Sequence, residues 1–123
     1  MYVERRCRRS SQPSLALAYQ LQSCAERAGL QAMLLSDEDG LLVAGSTWTA
    51  EGSEEMAAVL PYLARGGEFA GILLGEGSVG HAVQVKPFRA EDTGLFLCAV
   101  GKAGEGVGRE IDTAIAGVRR ILH

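Results

Sequence analysis

Apolar residues in PSLALAYQLQSCAERAGL fall at helical spacing, with Leu17, Leu21, Cys24 and Ala28 in one stripe and Ala18 and Ala25 beside it. Ser11 or Ser14 suits the cap, Pro13 the first turn and Gly29 the stop, which predicts a first helix from about residue 13. The pattern then changes period. LQAMLLS (30–36) and LLVAGS (41–46) are short apolar runs on either side of DEDG, and predict two strands joined as a hairpin. SEEMAAVLPYLARGG returns to helical spacing. There Ser53 is the expected cap, Met56, Val59, Leu60 and Leu63 the apolar stripe, and Pro61 the site of a kink or early end. FAGILLG (69–75), VGHAVQVKPF (79–88) and LFLCAVG (95–101) predict three more strands, and VGREIDTAIAGVRRIL gives the cleanest amphipathic helix in the chain. The order is helix, two strands, helix, three strands, helix. The runs at 30–36 and 95–101 show no polar face, so helices are expected on both faces of one sheet.

The acidic triplet Asp37, Glu38 and Asp39, followed by Gly40, is the first candidate for chemistry. A calcium-binding loop needs oxygens at alternate positions and a closing Glu, and LLVAGS supplies no later ligand. A general acid/base pair needs two carboxylates facing one substrate, whereas neighbours on a tight turn face apart. Asp-Gly between apolar strands is instead a hairpin signal, because Gly takes the positive φ. The expected role is a turn, with Asp37 and Glu38 holding its tip in water.

Composition adds bounds. At 123 residues, 47% hydrophobic and 22% charged, the chain is one domain long and large enough for a core. No apolar run approaches the roughly 20 residues of a membrane span. The first residues lack the apolar segment of a secretory signal, and the expected location is cytoplasmic. Cys7, Cys24 and Cys98 are odd in number and form no C-x-x-C pair, so they read as reduced thiols, with Cys98 a core residue. Charge is uneven. Four arginines against Glu4 give residues 1–9 a net +3, so the remainder carries −6 of the total −3. Residues 1–12 are therefore read as a basic, flexible arm and 13–123 as a single domain. Contact of the arm with nucleic acid is disfavoured, because the body offers no basic face to continue it.

The glycine-rich stretches carry weaker signals. GEGSVG (75–80) matches G-x-G-x-x-G, but HAVQVK after it alternates like a strand, so a second hairpin is expected rather than a dinucleotide loop. GKAGEGVG (101–108) lies between a strand and a helix with Lys102 at hand, the right context for an anion, yet it is no Walker A loop. A bulged connection is the default there. His81 shares a face with three valines and has no Ser-Asp partners in view, His123 ends the chain, and Trp48 fits a partner anchor or a cap on the core edge equally well. No catalytic group, cofactor or metal site is expected.

The segments GLQAMLLSDEDGLLVAGS, MAAVLPYLARG, VQVKPF and LFLCAVGKAG, in that order, resemble the roadblock/dynein-light-chain family from about residue 14 onward. The resemblance implies an α+β sandwich, αββαβββα, whose five-stranded antiparallel sheet carries the first and last helices on one face and the middle helix on the other. It also implies a homodimer in which third strands pair edge to edge and middle helices lie side by side. An apolar FAGILL edge without Pro or charge needs such a cover. Leu60, Leu63, Phe69, Ile72 and Leu74 are the residues assigned to that self-contact. Family members act as dynein subunits, as scaffolds for small GTPases, or, in bacterial Mgl-type members, as activators of a Ras-like GTPase. The expected function is a non-enzymatic homodimeric adaptor for a small Ras-like GTPase. The alternative is a dimeric scaffold or sensor subunit of a signalling or motor complex without one. No partner-binding residue follows from the resemblance.

Overall fold

The computed structural model describes residues 2–46, 50–74, 80–101 and 106–122, with side chains for 15–46, 53–72, 82–101 and 106–122. Three helices and five strands follow in the expected order: α1 (Tyr2–Ala28), β1 (Ala32–Asp37), β2 (Leu42–Gly45), α2 (Ala50–Leu63), β3 (Phe69–Leu74), β4 (Gly80–Ala90), β5 (Thr93–Val100) and α3 (Val107–Leu122). The sheet is antiparallel throughout, ordered β2-β1-β5-β4-β3.

The period-2 alternation of the two central strands divides the core into two layers. Met33, Leu35, Leu95, Leu97 and Ala99 turn to one face, where they pack with Leu17, Leu21 and Cys24 of α1 and Val107, Ile111 and Val118 of α3. Ala32, Leu34, Cys98 and Val100 turn to the other and meet Met56 and Leu60 of α2. The sheet is thus covered by two helices on one face and one on the other. β1 and β5 carry no polar face because neither side meets water; Leu34, Leu35, Leu97 and Cys98 are all fully buried.

Helices α1 and α3 pack closely, because a Cβ at Gly117 would collide with the Gln20 side chain. Ion pairs fasten α3 on both sides, Arg27 Nε to Glu110 Oε1 at 3.1 Å and Lys86 Nζ to Asp112 Oδ1 at 2.9 Å. Both are exposed, and pairs of that kind orient more than they stabilise.

Two boundaries differ from expectation. Helix α1 starts at Tyr2, well before Pro13, so the boundary drawn between residues 12 and 13 falls inside a helix. Arg and Gln are good helix formers, which favours continuation through the basic segment. Helix α2 starts at Ala50, three residues before Ser53; Ser53 is 3% exposed and does not stand at the cap. The buried stripe of α2 is Ser53, Met56, Ala57 and Leu60, continued by Ala64 just past its end, while Val59 is 39% exposed and Leu63 half-buried. Small alanines let the helix sit close to the sheet and hairpin, which rotates Val59 outward. Pro61 lies in the last turn and α2 closes two residues later, at Leu63.

Candidate functional site: the outer edge of the sheet

Strand β3 ends the sheet and pairs only with β4 among the described residues. Its register sets Phe69 opposite Val85, Gly71 opposite Val83, Ala70 opposite Gln84 and Ile72 opposite Ala82. Val83 and Val85 belong to the α2-side layer, and Phe69 packs against that layer with Leu63 and Phe96. The Phe69 ring lies over Gly71, where a Cβ would come within 2.8 Å of its Cζ. An aromatic ring thereby covers backbone that an edge glycine leaves bare. Ile72 points to the opposite face and is 70% exposed.

The five residues assigned from sequence therefore occupy different places. Leu60 is fully buried inside the protomer's own core. Leu63 and Phe69 lie at its margin on the α2 side. Ile72 is exposed on the other face, and Leu74 pairs with Gly80 in register while its side chain lies outside the described residues. Sequence reasoning misses Tyr62, 75% exposed on α2 and more accessible than the four of these whose side chains are described. Its signal is present, since Tyr62 follows Val59 by three and leaves the Met56–Leu60 stripe.

The acidic turn is structural, though not as a solvated tip. Asp37 is 8% exposed, and its Oδ1 accepts hydrogen bonds from the Asp39 and Leu41 amides at 2.9 and 3.0 Å. Glu38 is exposed but reaches β5, where its Oε1 accepts the Gly94 amide at 3.0 Å. Carboxylates that close backbone turns need no cation to explain them. Among the described residues, no three His, Cys, Asp or Glu side chains gather as metal ligands would. Glu38, Phe88, Arg89, Gly94 and Phe96 border an open cleft of 520 Å³, but Arg89 is committed to the Asp92 carbonyl and Glu38 to Gly94.

The two described thiols offer no nucleophile. Cys24 and Cys98 are buried and unpaired. Burial pushes the Cys98 thiol up to about 12. Burial also raises Cys24, with Arg27 opposing it and donating to the sulfur at 3.2 Å. Neither supplies the thiolate that nucleophilic chemistry needs. The glycine motif at 75–80 leads into β4 rather than a helix, and residues 75–79 lie outside the described residues. So do Lys102 with the centre of the 101–108 connection, Trp48, His123, and the side chains of Cys7 and His81.

This architecture is similar to solved structures of one fold. "Myxococcus xanthus MglB" matches with a TM-score of 0.65 at 12% identity, over 88% of each chain. A structure described as "MglB with tetrameric arrangement" matches at 0.66 and 19% identity, over 89% of each chain. A Roadblock/LC7 domain from Streptomyces avermitilis matches at 0.59 and 18% identity, covering 85% of this chain and 96% of that one. No family model and no curated protein matches the sequence.

Proposed function

With the roadblock/LC7 fold as premise, we propose that the chain is a non-enzymatic homodimeric adaptor that binds a small Ras-like GTPase and tunes its GTP hydrolysis. The observation that carries this reading is the outer edge of β3, which has no partner strand among the described residues, together with the exposed apolar residues Val59 and Tyr62 of α2. An apolar strand edge and a 75% exposed tyrosine are both features that association covers. Two copies joined edge to edge would extend the sheet to ten strands, twice the five of one chain, and bring the two α2 helices together. Leu63, Phe69 and Tyr62 are the side chains we assign to this contact on the α2 side, with Ile72 on the opposite face.

The reading sets the protein to work in the cytoplasm; among the described residues no helix is long and apolar enough to cross a membrane. Light scattering across micromolar concentrations tests the dimer, and a strictly monomeric particle overturns it. Recovery of a GTPase in pull-downs from the native cell supports the adaptor. Its consistent absence leaves a scaffold or sensor subunit without a GTPase partner.

A further inference from the structure

Helix α1 begins with a basic segment, Arg5, Arg6, Arg8 and Arg9, and no Asp or Glu follows it until Glu26. Further along, the same helix leaves two large apolar side chains in solvent one turn apart, Leu15 at 61% and Tyr19 at 72% exposure. Along the sequence the body shows no basic face to continue the charge of the first residues. The fold supplies one.

Helices α1 and α3 run antiparallel. Arg27 pairs with Glu110, and Gln20 stands against Gly117, so seven residues on one helix match seven on the other. Carried on in that register, Arg119 and Arg120 come level with Ala18 and Leu17, between Leu15 and Tyr19 along the axis. Both arginines are exposed. Arg120 stands three residues beyond Gly117, on the side of α3 that meets α1. Arg119 turns the other way, its guanidinium 5.7 Å from the Phe88 ring centre and its Nε donating to the Arg89 carbonyl at 3.0 Å. Residues 113–123 hold no acid. The shared end of the two helices therefore sets exposed apolar side chains beside exposed cations, and the basic segment of α1 continues from it.

We propose that this end of the α1–α3 layer is a docking surface for an anionic phospholipid membrane. The arginines meet the headgroup charge, and Leu15 and Tyr19 enter the boundary between headgroups and acyl chains, where leucine and tyrosine are favoured. Duplex nucleic acid would use the same charge but offers nothing to the exposed leucine. The body carries a net −6 over residues 10–123, yet its exposed acids Glu54 and Glu55 lie on α2, across the sheet. A helix alone is about 10 Å thick, more than the roughly 8 Å over which physiological salt screens a charge. Glu91 and Asp92 occupy the β4–β5 turn rather than either helix. Docked in this way the chain keeps α2 on the far side of the sheet, so the contact stands whether or not the β3 edge pairs or a GTPase binds.

The test is co-sedimentation of the full chain with phosphatidylcholine vesicles, with and without about 30% phosphatidylserine. The chain should pellet only with the anionic vesicles, and about 0.5 M salt should release it by screening. Arg5→Gln, Arg6→Gln and Arg120→Gln should each weaken binding about fivefold. Leu15→Ser with Tyr19→Ser should weaken it about tenfold at unchanged charge. Circular dichroism of the Leu15, Tyr19 and Arg120 variants should match wild type, because all three side chains are exposed. Equal pelleting with both vesicle types, or none with either, overturns the proposal from the wild-type chain alone. Folded Arg120→Gln and Leu15→Ser/Tyr19→Ser proteins that bind as wild type does would remove this face from the contact. Tighter binding to a duplex DNA oligonucleotide than to the anionic vesicles at the same salt overturns it in favour of nucleic acid.

Discussion

The Glu38 carboxylate accepts the Gly94 backbone amide at 3.0 Å and fills the space a side chain at 94 would need. A Cβ at Gly94 would collide with Glu38 Oε1. The hairpin between β1 and β2 is thereby tied to the start of β5, strands that already pair along Leu34–Cys98 and Leu35–Leu97. Gly94→Ala should displace the carboxylate, lose that hydrogen bond and cost about 1 kcal/mol. In a Glu38→Ala background the same change should cost less, and urea denaturation of the four proteins in this cycle measures the difference. Additive costs would show that the two residues act independently.

Gly40 holds the same hairpin against α2. Its φ is +78°, and a Cβ there would lie 3.1 Å from both Ala58 Cα and the Ala58 carbonyl oxygen. Gly29, at φ +68°, has open space where its Cβ would stand, with nothing within 4 Å. Gly29→Ala should therefore cost about 1 kcal/mol from the left-handed backbone alone. Gly40→Ala should cost more than that, because backbone rather than a flexible side chain must yield. Equal losses in denaturation midpoint would remove the contact from the account.

How much of the fold is legible in the sequence depends on how sharply each pattern separates inside from outside. Helix α3 can be read to its ends, because Val107, Ile111, Ala114, Ile115 and Val118 alternate with charged residues. The central strands are legible for the opposite reason, having no polar face at all. Helix α2 misleads at Val59 because alanine carries little hydrophobic signal, yet Ala57 and Ala64 are what the sheet side admits. Pro13 has the character of a helix start and lies within α1 instead. At the candidate site, strand periodicity identifies β3 but not its place at the sheet's end; that expectation comes from the family resemblance. Asp37 reads as a solvated acid because its satisfaction comes from two backbone amides, which side-chain patterns do not show.

Leu60 and Tyr62, two residues apart on α2, should separate folding from association. Leu60 is fully buried, so Leu60→Ala should cost about 2–5 kcal/mol of stability through the cavity it leaves. Tyr62 is 75% exposed, so Tyr62→Ala should leave chain stability within about 0.5 kcal/mol. It should nonetheless weaken self-association, read by light scattering under conditions where both proteins are folded. An association curve for Tyr62→Ala that overlays wild type would exclude Tyr62 from the interface.

Cys98 gives the fold a pH dependence on the alkaline side. Its thiol rises from 9.0 to about 12 in the folded protein, because burial between β1 and β4 penalises the thiolate. Well below pH 9 the thiol is protonated whether the chain is folded or not, and it adds no slope. Between about 9 and 12 the unfolded chain releases this proton while the folded chain keeps it, so stability falls as pH rises. The slope approaches about 1.4 kcal/mol per pH unit for one proton. Cys98→Ala should lower stability at neutral pH by losing packing, yet flatten this alkaline limb by close to that amount. Cys24, also raised by burial, contributes in the same direction and stays in both proteins. Denaturation series at pH 8, 9 and 10, spanning the start of the window set by the 9.0 value, provide the comparison. Parallel limbs for wild type and Cys98→Ala would show that the thiol ionises as freely in the fold as outside it.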